Sequence, residues 1–279
     1  MKRIFCLLLA CLLLCGCGIS VENQSHQLGY TTVPPTDPTT TAPTEDPIPA
    51  NPYGPMDFGY EGDYLSCLSG DYMLGIDCSY WQGQGNWQKV KGAGMEFVML
   101  RIGQRGSEQG ILAEDKMVHQ YYDGASAAGL KIGGYVFSQA ITPEEAIEEA
   151  EFALEIIKDW QGDMPIVFDW EKLDDVPART YGLDPAVLTD CAVAFCQTIE
   201  AAGYDASVYF NRYIGYYGFD LSKLTEYDFW LAVPGEFPDF YYATDIWQYS
   251  FTETVPGIKE PTDMNLMFIP VEPEEESVQ

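Results

Sequence analysis

The sequence predicts an α/β fold, one barrel of eight strands that begins by alternating strand with helix and becomes irregular in its last third. Three observations predict it. From about residue 70, short apolar runs alternate with helix-like segments, the pattern of parallel strands joined by crossover helices. Three further apolar runs near the end are linked by connections of weak helical character. Finally, 279 residues that are 47% hydrophobic and 14% aromatic can build one sizeable core more readily than two.

The strand-like runs lie at 73–77 (MLGID), 96–102 (EFVMLRI), 131–138 (KIGGYVFS), 164–171 (MPIVFDWE) and 205–211 (DASVYFN). Helix-like segments separate them around 86–93, 113–128, 143–160 and 184–202. The third helix shows why: Thr142 can cap it, Pro143 suits its first turn, Glu145 completes a capping box, and Ala146, Ile147, Ala150 and Leu154 hold one apolar face. Its glutamates read as a solvated face. The last three runs are DFWLAV at 228–233, ATDIWQY at 243–249 and MNLMFI at 264–269.

Ahead of the barrel, Lys2 and Arg3 precede an apolar run from Ile4 to Leu14, too short to span a bilayer comfortably and charged like a secretory signal. Leu14-Cys15-Gly16-Cys17 resembles a bacterial lipobox, so Cys17 is expected to carry a lipid anchor after cleavage. Residues 18–60 are rich in Thr and Pro and poor in large aliphatics; such a stretch cannot bury enough surface to offset its ordering entropy and reads as a disordered tether. Residues 61–72 form a lead-in segment, 73–270 the barrel and 271–279 an acidic tail. The expected location is the extracellular face of a bacterial membrane, with one copy per functional unit.

Eight cysteines suggest a disulfide framework until they are sorted. Cys6, Cys11 and Cys15 leave with the signal and Cys17 is lipidated, which leaves Cys67, Cys78, Cys191 and Cys196. The last two sit five apart in a helical stretch, a poor geometry for a bridge, so buried thiols are expected, with a Cys67–Cys78 bridge the less favoured alternative. Neither His26 nor His119 lies in a metal-ligand spacing, and no HExxH or CxxC pair occurs; neither a metal nor a cofactor is expected. A formal net charge of −29 argues against nucleic acid or anionic lipid as a partner.

The chemistry concentrates at strand ends. In parallel barrels the carboxyl ends of the strands line the active site while their apolar parts fill the interior. Asp169 and Glu171 lie at such an end. Two residues apart on a strand, they face the same way with Cα atoms roughly 6.5 Å apart, and Trp170 faces the other. Asp77 closes MLGID, Tyr135 lies in GGYVF, Tyr209 and Asn211 end SVYFN, and Trp230 and Trp247 lie in the later strands. Acids with aromatics on one rim describe a carbohydrate site, carboxylates for proton transfer and rings for stacking on sugars. Each aromatic alone is equally well explained by core packing. The acid pair is harder to dismiss, because two carboxylates ending a buried run cost several kcal/mol unless a partner or a task retains them.

GIDCSYWQG (75–83), FVMLRIGQRG (97–106), GLKIGGYVFS (129–138), PIVFDWE (165–171), WQYS (247–250) and DMN (263–265), in this order, resemble the successive motifs of glycoside hydrolase family 25, the lysozymes of the Chalaropsis type. The resemblance runs from about Leu74 to Phe268. It implies a modified TIM-like (β/α)5(β)3 barrel and a muramidase that cuts the β-1,4 bond between N-acetylmuramic acid and N-acetylglucosamine in peptidoglycan. By the same resemblance, Glu171 matches the proton donor, Asp169 its partner acid, and Asp77 and Asp263 two further acids of the groove. The matching motifs also bring Trp81, Arg101 and Asn265 forward as substrate contacts. Cys78 and Tyr80 depart from the common pattern, Tyr80 standing where a histidine often precedes the tryptophan; neither removes a carboxylate.

These roles make chemical sense. A glycosidic oxygen leaves poorly without a proton, so one carboxyl must stay protonated near neutral pH; burial and a nearby anion do this, and Asp169 is the expected anion beside Glu171. Asp169 then serves either as nucleophile or as stabiliser of an oxazolinium formed by the substrate's acetamido group, the second route, with net retention, being the one the resemblance implies. The rival readings are an inactive glycan-binding barrel, which would be expected to lose Asp169 or Glu171, and a chitinase-like glycosidase, which would usually carry a longer DxxDxDxE run.

Overall fold

The computed structural model describes residues 47–173 and 178–270; Cys17, most of the expected tether and the acidic tail lie outside the described residues. Among the described residues there are eleven strands: β1 (Phe58–Glu61), β2 (Tyr64–Cys67), β3 (Tyr72–Cys78), β4 (Phe97–Arg105), β5 (Leu112–Glu114), β6 (Lys131–Ser138), β7 (Ile166–Trp170), β8 (Ala206–Asn211), β9 (Asp228–Ala232), β10 (Ile246–Glu253) and β11 (Thr262–Phe268). Five α-helices accompany them in the same residues: α1 (Trp87–Gly92), α2 (Val118–Ala127), α3 (Pro143–Ile157), α4 (Pro185–Ala201) and α5 (Arg212–Tyr217). The order β3-α1-β4-α2-β6-α3-β7-α4-β8-α5-β9-β10-β11 is the (β/α)5(β)3 plan. The short fifth helix, α5, had no signal strong enough to be read from sequence.

Pairing of β3 with β4 at one end of the strand order, and of β3 with β11 at the other, closes eight strands into a barrel. All neighbours are parallel except β11, which runs antiparallel to both β10 and β3. The reason is the connection: residues 254–261 are too few for a crossover, so β10 and β11 form a hairpin. The start of β11 therefore lies at the same rim as the ends of the parallel strands, with Asp263 directly opposite Asp77.

The core has two compartments, as period-2 alternation demands. Met73, Phe97, Met99, Val167, Tyr209, Trp230 and Ile246 fill the barrel interior, while Ile166, Phe168 and Trp170 face the helix layer with Phe195 and Ile199 of α4. The interior is tight: a Cβ on Gly133 would lie 2.7 Å from the Met99 sulfur, which explains a glycine in the middle of an otherwise apolar strand.

Local signals set the helix starts. The Asp184 carboxylate accepts from Ala186 N–H at 2.8 Å ahead of Pro185, and Thr142 Oγ1 accepts from Glu145 N–H at 3.3 Å. The expected capping box closes one residue further back, since Glu145 accepts from Ile141 N–H at 2.9 Å, and its other oxygen pairs with Arg179 at 2.6 Å. Glu149 is fully buried and bonded to Arg105 at 2.7 Å. These two glutamates do not belong to a solvated face.

The tether boundary at residue 60 also needs correction. Ile48 and Phe58 are buried, Ala50 bridges to Tyr242, and the β1–β2 hairpin packs Leu65 and Cys67 into the outer core. These anchors come from contacts nearly two hundred residues away, which local composition does not encode. Cys67, Cys78, Cys191 and Cys196 are all buried free thiols.

Candidate active site

Strand β7 carries the answer to why a buried run ends in two acids. Val167 and Asp169 point into the barrel, Phe168 and Trp170 away from it, and Glu171, half-buried, continues the inward face one residue past the strand. Asp169 and Glu171 open together into a cavity of about 230 Å³ at the carboxyl rim, and Asp77 and Asp263 line the same cavity. Arg101, Tyr135, Tyr209, Trp230 and Trp81 complete its wall among the residues singled out from sequence.

A chain of hydrogen bonds holds the floor. Tyr209 Oη donates to Gln248 Oε1 (2.8 Å), and Gln248 Nε2 donates to Asp77 Oδ2 (2.7 Å). From the other side, Trp230 Nε1 donates to Asn265 Oδ1 (2.8 Å), and Asn265 Nδ2 donates to the same Asp77 oxygen (2.9 Å). Asp77 is thereby fixed as an acceptor. Asp169 differs: its Oδ1 is buried with no hydrogen-bond partner among the described residues. The nearby cation, Arg101, is committed to Asp115 through Nε at 2.9 Å and Nη2 at 2.8 Å.

Four acids sharing one cavity disfavour one another's ionisation. Burial pushes Asp77 up to about 6, against the hydrogen bonds from Asn265 and Gln248. Asp263 is pushed up to about 8 by burial, by the charges of Asp77 and Glu171, and by a hydrogen bond between its carboxyl and that of Asp77, which makes Asp263 the proton holder of that pair. Burial raises Glu171, and the charge that adds to the effect is that of Asp77. Asp169 is raised well above the ordinary range by burial and then by the charges of Glu171 and Asp77. The charge felt by Glu171 is that of Asp77, whose carboxylate accepts from two amide donors, while Arg101 is, among the described residues, the one group that favours the Asp169 anion.

Three expected contacts fall elsewhere. Trp247 is fully buried outside the barrel, its Nε1 donating to Val233 O at 2.8 Å; it has the outward parity of β10, and the inward residue is Gln248. Asn211 caps α5 by accepting from Ile214 N–H at 3.0 Å. Asn265 is buried beneath the cavity and reaches it only through Asp77 and Trp230. Ser79, Gln82, Phe137 and Gln248 line the cavity without having been singled out; strand parity would have found Phe137, two residues after Tyr135, and Gln248. The aromatic wall is also deeper than a stacking rim requires, with Trp230 2% exposed and set edge-on to Tyr135 and Tyr209. Trp81, 66% exposed, is the ring at the mouth. It rests on Tyr80 with centroids 4.4 Å apart, and Lys116 Nζ lies 4.1 Å from the Tyr80 ring.

The fold has known counterparts. Over 208 residues the chain is 27% identical to Lysozyme M1 of Streptomyces globisporus, covering 68% of this chain and 66% of that protein. It is 28% identical over 195 residues to the autolytic lysozyme of Clostridium acetobutylicum, covering 69% and 55% respectively. The chain thus spans just under two thirds of the first relative and about half of the second. Among solved structures, the bacterial lysozyme from Streptomyces coelicolor superposes with a TM-score of 0.55 at 25% identity, over 71% of this chain and 91% of that one. A family 25 glycosyl hydrolase from Bacillus anthracis gives 0.60 at 17%, over 76% and 96%, and the modular autolysin LytC from Streptococcus pneumoniae, solved with a synthetic peptidoglycan ligand, gives 0.61 at 23%, over 71% and 47%. The model of glycosyl hydrolases family 25 matches residues 76–258, two thirds of the sequence, and the chain belongs to that family.

Proposed function

We propose that the barrel is a muramidase, hydrolysing the β-1,4 bond between N-acetylmuramic acid and N-acetylglucosamine of peptidoglycan. The observation that carries this reading is the opening of Asp169 and Glu171 into one rim cavity that also holds Asp77 and Asp263 and whose nearby cation is engaged elsewhere. Family membership and the two lysozyme relatives support it.

Glu171 is the proton donor. It is half-buried at the cavity wall and raised by burial and by Asp77, so it keeps a proton to deliver to the leaving oxygen as the glycosidic bond breaks. Asp169 responds to the positive charge developing at the anomeric carbon. Burial and its unpartnered oxygen favour the neutral form, and a cationic sugar beside it reverses the preference. As an anion it orients the substrate acetamido group, whose carbonyl oxygen attacks the anomeric carbon; water then opens the oxazolinium, with net retention. Asp77 and Asp263 set the proton affinities of the other two. Trp81 stacks on a sugar at the mouth, while Tyr135 and Tyr209 shape the subsite.

The chain is further proposed to act outside the cell as a monomer, carried on a lipid at Cys17; labelled fatty acid should be incorporated by the native chain and lost in Cys17→Ser. The catalytic reading is tested by digesting purified cell wall and identifying the new reducing sugar. N-acetylmuramic acid is expected, and N-acetylglucosamine would mean a glucosaminidase instead.

A further inference from the structure

Glu171 stands one residue beyond β7, where the sheet ladder has ended. The last pair between β6 and β7 is Ser138 with Trp170. Past it the chain of β6 turns away: Ser138 Oγ accepts from Ala140 N–H at 3.2 Å, and α3 begins at Pro143. A carboxyl that must meet a leaving oxygen needs firmer support than a strand end, because misplacement by about 1 Å can cost ~10²-fold in rate.

The Gln139 side chain supplies that support where the backbone pairing stops. Its Nε2 donates to Ser138 O at 2.9 Å and to Glu171 O at 3.0 Å, and its Oε1 accepts from Thr180 Oγ1 at 2.9 Å. Gln139 is fully buried and Thr180 nearly so. Both amide N–H groups are used, which fixes the amide's orientation, since turning it over would set Oε1 against two carbonyls. Thr180 is held in turn. Its neighbour Arg179 donates from the main chain to Ser107 O at 2.8 Å and pairs with Glu145 of α3 at 2.6 Å. The ion pair on α3 therefore leads, through Thr180 and Gln139, to the main chain of Glu171. The Gln139 side chain does not line the rim cavity, so any effect it has on the reaction passes through Glu171. A buried amide is unfavourable unless its hydrogen bonds are made, and packing alone would be met by methionine.

We infer that Gln139 is the positioning residue of Glu171: gripping the Glu171 main-chain carbonyl while Thr180 braces its own amide, it sets the direction in which the acid presents its proton. The inference rests on the reading of Glu171 as proton donor. Initial rates on soluble glycan strands are compared with those on an N-acetylated glycoside bearing a nitrophenolate leaving group, which departs without a proton. Gln139→Met keeps the volume and removes the amide. Its kcat on glycan should fall about tenfold with KM within about twofold of the parent, as for a misdirected general acid, while turnover of the activated glycoside is largely kept. Thr180→Val removes the brace and leaves Gln139 in place; it should shift the ratio of the two rates in the same direction by about threefold, the scale of one hydrogen bond. Thr180→Ser, which retains the hydroxyl, should restore the ratio. Equal losses on both substrates in Gln139→Met, following a lower thermal midpoint, would make Gln139 a brace of the fold alone and overturn the inference. Should that variant fail to fold, an unchanged ratio in Thr180→Val overturns it as well. Glu171→Gln is measured alongside: equal loss on both substrates there removes the proton donor and the positioning role together, whereas selective loss there with an unchanged ratio in Gln139→Met defeats the positioning role alone.

Discussion

Glu149, on α3, and Asp169, in β7, are both buried carboxylates, and burial raises the proton affinity of each, Glu149 to about 7. Their surroundings differ. Glu149 bonds to Arg105 through Oε1, Arg105 also reaches Glu148, and Glu145 bonds to Arg179, so each of these acids has a cation against it although Glu149 Oε2 has no hydrogen-bond partner among the described residues. Although burial pushes Glu145 up, the Arg179 hydrogen bond and the Ile141 N–H hold its carboxyl below the ordinary value. At the cavity, four acids face one another and Arg101 is spent on Asp115. A raised carboxyl does not by itself identify a catalytic site. What separates the two clusters is that one sets its acids against Arg105 and Arg179 while the other leaves its acids facing an open cavity, as the proposed reaction, which generates positive charge, would need.

Substitutions can break the contrast from either side. The largest effect is expected from Glu171→Gln, which should abolish lysis of purified peptidoglycan while circular dichroism stays unchanged. Arg105→Leu should instead cost ~3–5 kcal/mol of stability by stranding Glu149 in the core, read as a lower denaturant midpoint. Activity per folded molecule is not expected to follow that loss, because Arg105 does not line the cavity. Asp169→Asn should slow lysis by at least ~10²-fold, the lower scale for a positioned acid or base, with little loss of stability because its Oδ1 has no bond to lose.

The smallest effect concerns pH. Asp77 and Asp263 bind protons more tightly folded, at about 6 and about 8, than in the unfolded chain. Raised carboxyls favour folding fully below their unfolded value, and the contribution is lost as pH rises through 6 to 8. Asp263→Asn removes one such group, so its thermal midpoint should fall less than the parent's between pH 5 and 8. Parallel curves for the two proteins would count against a proton held at Asp263.

Much of this was legible in the sequence because period-2 parity is a strong constraint. It put Asp169 and Glu171 on one face and Trp170 on the other, as found. The same rule, ignored in favour of residue type, gave the wrong member of WQYS: Trp247 looked like a sugar-stacking ring, but its parity buries it and turns Gln248 inward. Asn211 illustrates another ambiguity, since an asparagine ending a strand before a helix is as good a cap as a ligand. The folding of residues 47–60 onto the barrel and the burial of Glu149 were hidden for a common reason. Each depends on a partner distant in sequence, Tyr242 for the first and Arg105 for the second, and local composition describes only the segment itself.

The division of labour between Glu171 and Asp169 is tested most directly by leaving-group dependence. Initial rates would be measured for the parent, Glu171→Gln and Asp169→Asn on intact glycan and on an N-acetylated glycoside bearing a nitrophenolate leaving group, which departs without a proton. The account predicts that Glu171→Gln loses activity on glycan but retains most of it on the activated substrate, while Asp169→Asn is impaired on both. Equal loss on the two substrates in Glu171→Gln would contradict its assignment as proton donor.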